Sequence, residues 1–332
     1  MKHLYGTLVA TMVSVAAWGA VSAAQGTVTA DAHIARAQAA AQKDFADIFD
    51  STCGLIRPSL VINRTPAPPT VASDRSTWHA EPVKVFDNLY FVGQSEFSAW
   101  AVTTSEGIII MDAIFDYSVE DEVIRGLTTL GLDPKQIKYV IVSHAHGDHV
   151  GGARVLQDRG AKIVMSATDW DLMEKATVNF AKPKRDVVAT DGQKLTLGDT
   201  TLTLHFTPGH TLGTLSTLIP VKDGRTTHMA AYWGGTAFNW VRGPAAYVTP
   251  ERPASFWFET YAKSAETFSD VVARARADVL LSNHTKYDQT FEKVAALKTR
   301  KPGAPHPFVI GTPSVRRFLT VAGECALAGA AK

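Results

Sequence analysis

Three histidines and an aspartate fall within six residues in His144-Ala145-His146-Gly147-Asp148-His149. They follow Tyr139-Val140-Ile141-Val142, a β-branched apolar run led in by an aromatic, which reads as a buried strand. Residues just past such a strand leave the sheet edge, where α/β folds place their chemistry. His144 and His146 alternate about small Ala145, so two imidazoles can converge from an extended segment. Gly147 lets the chain turn and brings Asp148 and His149 to the same space. Neutral imidazoles and a carboxylate suit zinc better than calcium or magnesium, although iron and manganese accept the same ligand types.

Two further strand ends deliver histidines. Leu202, Leu204 and Phe206 alternate with Thr203 and His205, and that strand runs into Thr207-Pro208-Gly209-His210-Thr211. His210 is the natural third ligand for a metal held by His144 and His146. Val279-Leu280-Leu281-Ser282 reads as another buried strand and ends at His284. Asp112 closes the apolar strand Ile108-Ile109-Ile110-Met111. A carboxylate there is costly unless partnered. It can hydrogen-bond the histidine loop from outside the ligand set, or cap a turn.

The elements that must position these groups are short strands separated by turn residues. The pattern predicts strands over Val83–Phe86, residues 89–92, residues 99–103 and Gly107–Met111. A helix over 118–130 precedes the metal strand, and a helix over 151–158 follows its loop. A strand over 162–165 comes next, and Ser166 caps a helix to about residue 177. The Asp191-Gly192 turn leads into Lys194–Leu197, with later strands over 215–220 and 227–232. Helices follow over 253–276 and 291–300, and Thr312-Pro313 opens a last helix that carries Cys325. Residues 232–261 are rich in aromatics. Among them Phe238, Asn239, Trp240 and Tyr247 are candidates to line a substrate groove, with core packing an open alternative for the rings.

With 332 residues, 45% of them hydrophobic and 20% charged, the chain has ordinary globular composition. A net charge of +1 leaves no electrostatic footprint for nucleic acid or an anionic membrane. Met1-Lys2-His3, the apolar residues 4–20 and Ser22-Ala23-Ala24 read as a signal peptide over residues 1–24. The expected mature protein is periplasmic or secreted, with no stable membrane association after cleavage. Residues 25–81 read as an extension, with a helix over 30–49 and a Pro/Thr linker over 58–69, added to a main domain over 82–332. Cys53 and Cys325 are the two cysteines; in an oxidising compartment they could pair, or they could stay as two separate buried thiols.

The loop His144-Ala145-His146-Gly147-Asp148-His149, the turn Thr207-Pro208-Gly209-His210-Thr211 and the late His284 together resemble the metallo-β-lactamase superfamily. Asp112 after its apolar strand and the Asp191-Gly192 turn are similar to that family too. The resemblance covers roughly residues 82–300. It implies an α/β (α+β) fold, a four-layer αββα sandwich with the metal site along one sheet edge. It also implies two Zn2+ ions per chain. His144, His146 and His210 would bind the first, and Asp148, His149 and His284 the second.

Thioesterase and lactonase members usually carry a bridging aspartate where this chain reads Tyr232-Trp233-Gly234-Gly235-Thr236. Two β-lactamase subclasses use a second-site cysteine, and none stands there. The ligand set is most similar to the third subclass, whose second site is Asp-His-His. Two features differ from that subclass: Thr285 follows His284 where proline is usual, and residues 234–240 do not resemble its serine-bearing loop. The implied activity is a secreted zinc hydrolase of a small-molecule substrate, opening β-lactam rings by attack of a metal-bound hydroxide. Asp148 would orient that nucleophile and carry its proton. The alternative is the same chemistry on another lactone, ester, thioester or amide.

Overall fold

The computed structural model describes residues 1–2, 28–61 and 71–332. The expected signal segment and most of the Pro/Thr linker lie outside the described residues. The extension opens with α1 (Ala30–Ala41) and α2 (Ala46–Ile56). One helix was expected over 30–49; the chain instead breaks after Ala41, where Gln42 takes a left-handed φ of 51°.

A seven-stranded sheet follows in chain order: β1 (Val83–Phe86), β2 (Leu89–Phe91), β3 (Trp100–Thr104), β4 (Gly107–Met111), β5 (Ile137–Ile141), β6 (Lys162–Ser166) and β7 (Val187–Ala189). Strands β1 to β4 are antiparallel, and β4 to β7 run parallel. The parallel half is wound with short helices: α3 (Arg125–Thr129), α4 (Gly147–Val150), α5 (Ala153–Asp158) and α6 (Ala167–Lys175). The helix expected over 118–130 is a π-helical turn, Glu120–Ile124, running into α3. Three-residue β7 carried too little alternation to be read in advance.

The second sheet has five strands: β8 (Lys194–Leu197), β9 (Thr200–Phe206), β10 (Leu215–Asp223), β11 (Thr226–Trp233) and β12 (Val279–Ser282). Between β11 and β12 lie α7 (Asn239–Arg242) and the long α8 (Ala254–Ala275); α9 (Thr290–Lys298) and α10 (Thr312–Ala330) complete the chain.

Three apolar layers hold the sandwich together. Between the sheets, Trp100, Ile109, Met111, Ile141 and Val164 pack on Leu202, Leu204, Ile219, Tyr232 and Leu281. On the outer face of the first sheet, Ile110, Val140, Val142 and Ile163 pack on helix residues such as Leu127, Leu156 and Trp170. On the outer face of the second, Ala231, Trp233 and Leu280 pack on α8 and α10 through Tyr261, Phe268, Phe318 and Ala322. This is the expected αββα arrangement. Ile34, Ala37, Ile48, Phe49 and Cys53 of α1 and α2 belong to that last layer, so the extension is more than an addition: it completes an outer wall. A Cys53–Cys325 disulfide ties α2 to α10. No helix among the described residues is long and apolar enough to cross a membrane.

Strand pairing sets the site. Met111 pairs with Ile141 in parallel, so Asp112 and Ser143 leave the first sheet side by side. Trp233 pairs with Ser282 in parallel, so Gly234 and Asn283-His284 leave the second together. The Leu215 N–H donates to the Ser143 carbonyl at 2.8 Å and joins the two sheets at that edge.

Candidate metal centre

His144, His146 and His210 converge in one cluster, each offering a ring nitrogen within 4.8 Å of the others. His144 Nδ1 donates to the Gly234 carbonyl at 2.8 Å, and His210 Nδ1 donates to the Ala237 carbonyl at 3.0 Å. A carbonyl only accepts, so both protons are fixed on Nδ1. Burial, and the like charges of neighbouring imidazoles, push both rings well below the ordinary histidine pKa and keep them neutral. The two bare Nε2 atoms therefore face each other across 3.1 Å. His146 Nδ1 lies 3.1 Å from His210 Nε2, and the Tyr247 hydroxyl at 3.0 Å takes the other side of its ring. Lone pairs converging at that spacing repel unless a cation sits among them. The donor set fits a divalent metal, with the outer hydrogen bonds that orient metal-binding imidazoles already in place.

A second group joins Asp148 and His149 to His144. His149 Nε2 lies 3.2 Å from Asp148 Oδ2, and His284 Nε2 lies 3.6 Å from the same oxygen. His284 thus stands at the edge of the group, its buried Nδ1 without a hydrogen-bond partner. Burial opposes charge on His149, but Asp148 and Asp112 on either side raise it to about 10. Burial likewise opposes ionisation of Asp148, yet the surrounding His149, His284 and His146 hold it far below the usual carboxylate range. Burial and His149 lower His284 to about 3. Asp148 and the imidazoles around it are residue types that bind divalent cations.

Asp112 takes the position expected of it outside the ligand set. It is fully buried and takes a left-handed φ of 59°. Its Oδ1 accepts from the Ser143 N–H at 2.6 Å. Its Oδ2 accepts from the Ser143 hydroxyl at 2.8 Å and the Tyr232 hydroxyl at 2.5 Å, and lies 2.9 Å from His149 Nδ1. Asp112 fixes both the start of the histidine loop and the ring of His149.

The groove candidates divide. Asn239 lines a cavity of about 220 Å³ over the cluster, with His146, Asp148, His210, Thr236 and His284; Glu96, Arg242 and Lys286 also border it. Phe238 and Trp240 must be corrected: at 0% and 1% exposure they pack on Phe258 and Tyr261, and their rings have no free face for a substrate. Tyr247 acts on the His146 ring rather than lining the cavity. Asn283 Nδ2 also donates to the Gly234 carbonyl at 2.9 Å. Sequence reasoning passed over Ser143 and Tyr232. It also passed over the cavity-border charges. Strand-face alternation could have flagged Tyr232 as inward-facing, but nothing local signalled its partner.

Gly234, in the stretch without an acid, is tightly packed. A Cβ there would come within 1.7 Å of the Leu215 carbonyl oxygen. Gly234 therefore takes no side chain.

A sequence profile of the metallo-beta-lactamase superfamily matches residues 97–223, from ahead of Asp112 to beyond His210. This chain carries a metallo-beta-lactamase superfamily domain. Among solved structures, the domain is similar to BJP-1, a subclass B3 metallo-beta-lactamase of Bradyrhizobium japonicum. The identity is 29%, the TM-score 0.61, and the match covers 75% of this chain and 93% of that one. It is 29% identical over 133 residues to a metallo-beta-lactamase type 2 of Bacillus sp. (strain 170), covering 40% of this chain and 49% of that protein. It is 30% identical over 128 residues to a hydroxyacylglutathione hydrolase of Synechococcus sp., covering 38% and 45%. The chain thus spans about half the length of these curated relatives. The metallo-beta-lactamase domain accounts for the clustered histidines and the two-sheet sandwich alike.

Proposed function

We propose that the chain is a zinc-dependent hydrolase that opens β-lactam rings, with two metal positions formed by His144, His146 and His210 and by Asp148, His149 and His284. The observation that carries the reading is the pair of proton-free Nε2 atoms of His144 and His210 facing each other beside the carboxylate of Asp148. Each proposed position has three protein ligands, and a structural zinc site is closed by four. When bound, such ions act as Lewis acids that polarise a carbonyl and make water nucleophilic at neutral pH.

The chain's own residues do the rest. Asp148 borders the cavity, and its carboxylate would orient the attacking water. Arg242 and Lys286 bring positive charge to the cavity border, which suits a substrate bearing a carboxylate, as β-lactams do. At about 220 Å³ the cavity holds a reacting ring and leaves larger substituents to the surface around it. Export is part of the proposal; the N-terminal composition supports it, and so does the Cys53–Cys325 disulfide, a bond that persists in oxidising compartments.

A second reading, hydrolysis of a thioester, lactone or other ester, is favoured by the likeness to a hydroxyacylglutathione hydrolase. The absence of an acid from Tyr232-Trp233-Gly234-Gly235-Thr236 counts against it. Turnover of a penicillin, a cephalosporin and a carbapenem by zinc-loaded protein, with a chelator control, tests the proposal. Chelator-sensitive kcat/KM of ~10⁴ M⁻¹s⁻¹ or more supports it. No turnover of any β-lactam, alongside turnover of a thioester or lactone, selects the second reading.

A further inference from the structure

Two buried carboxylates outside the ligand set, Asp169 and Asp288, each grip a different ligand loop. Asp169 lies in the first turn of α6 and is fully buried. Its Oδ2 accepts from the Ala145 N–H at 2.8 Å and from the Thr211 hydroxyl at 2.9 Å. Ala145 stands between His144 and His146, and Thr211 follows His210. One oxygen thus joins the histidine loop to the His210 turn. The fit is close on the other side: a Cβ on Gly213 would come within 2.4 Å of Asp169 Oδ1.

Asp288 is 1% exposed and sits behind β12. Its Oδ2 accepts from the Ser282 N–H at 2.8 Å, and its Oδ1 accepts from the Thr290 hydroxyl. The Ser282 hydroxyl in turn accepts from the backbone N–H of His284 at 3.3 Å. Asp288 therefore sets the strand end from which His284 projects. Neither carboxylate borders the cavity, so neither meets substrate. Burying a carboxylate is costly even when it is hydrogen-bonded, and an apolar residue would fill either place at less cost. What an apolar residue would not do is hold two chain segments in register.

We propose that Asp169 and Asp288 are positioning residues, Asp169 for the metal position of His144, His146 and His210, and Asp288 for the position that includes His284. This rests on reading those side chains as ligands of two ions. It adds that each position has its own carboxylate anchor, so the two can be weakened separately.

The test is a stepwise cobalt(II) titration of metal-free protein, read by absorption and by metal bound per chain. It compares wild type, Asp169→Asn and Asp288→Asn, with His210→Ala and His284→Ala marking the loss of each position. Asp169→Asn should weaken only the position lost in His210→Ala, and Asp288→Asn only the one lost in His284→Ala, each by ~10–100-fold. If either aspartate variant fails to fold, Thr211→Val and Thr290→Val each remove one hydroxyl bonded to the aspartate and should show the same selectivity with smaller losses. Equal weakening of both positions in both folded variants, or wild-type affinity in both, overturns the proposal. A wild type that binds fewer than two ions overturns the two-metal reading, and this proposal with it.

Discussion

His146 Nε2 and the Tyr247 hydroxyl lie 3.0 Å apart, although 101 residues separate them in sequence. Tyr247 follows α7, and its carbonyl is itself fixed by the Trp257 indole N–H at 3.0 Å. The ring of His146 is thus bonded by a residue that α8 holds in place.

Tyr247→Phe keeps the aromatic packing on Trp257 and removes only the hydroxyl. Metal affinity should fall ~10–100-fold with little change in melting temperature, because outer hydrogen bonds orient ligands rather than hold the fold. Isothermal titration of the apo-variant with zinc measures it. Unchanged affinity would mean that the hydroxyl does not orient His146.

His146→Ala deletes a proposed ligand. Hydrolysis should drop by more than the ~100-fold at which outer-sphere changes level off, while the circular dichroism spectrum stays that of the native chain. Activity that survives the substitution would place the chemistry elsewhere.

Burial raises Asp288 to about 6 against an ordinary 3.8, outweighing the nearby Lys293 and its hydrogen bonds. For a carboxyl group raised in the folded state, the native protein binds more protons than the unfolded chain between those two values. Its contribution is therefore complete below pH ~4 and declines as pH rises through ~6. Asp288→Asn removes that slope. The stability of the variant relative to wild type should improve by up to ~3 kcal/mol between pH 4 and 7, from the size of the shift. Paired denaturant melts of the metal-free proteins at pH 4 and 7 read the difference directly. A constant gap would show that folding does not raise the Asp288 carboxyl.

Reducing the Cys53–Cys325 bond should destabilise the chain by ~2–4 kcal/mol. Metal content at room temperature should not change, because both cysteines lie in the α1–α2–α10 wall, away from the cluster. Thermal melts with and without reductant, paired with elemental analysis, check both parts.

The clustered histidines and Asp148 were legible because each sits just past an apolar strand, and strand patterns are the clearest local signal in a sequence. Asp112 was legible for the same reason. The anchors were not. Asp169 reads as an ordinary first-turn residue behind the Ser166 cap, and its contacts at Ala145 and Thr211 are 24 and 42 residues distant. Tyr247 was noticed as an aromatic but given the wrong task, since its partner lies far along the chain. Phe238 and Trp240 misled because neighbouring glycines and prolines suggest an open loop, whereas α8 covers them. Which rings face a cavity is decided by packing between layers, and no spacing rule encodes that.

The central claim is that six side chains hold two metal ions. Elemental analysis of the purified protein, after dialysis against zinc and removal of excess, tests it most directly. Two zinc ions per chain are expected in the wild type and one in His210→Ala. One ion or none in the wild type, or two retained in His210→Ala, would contradict it.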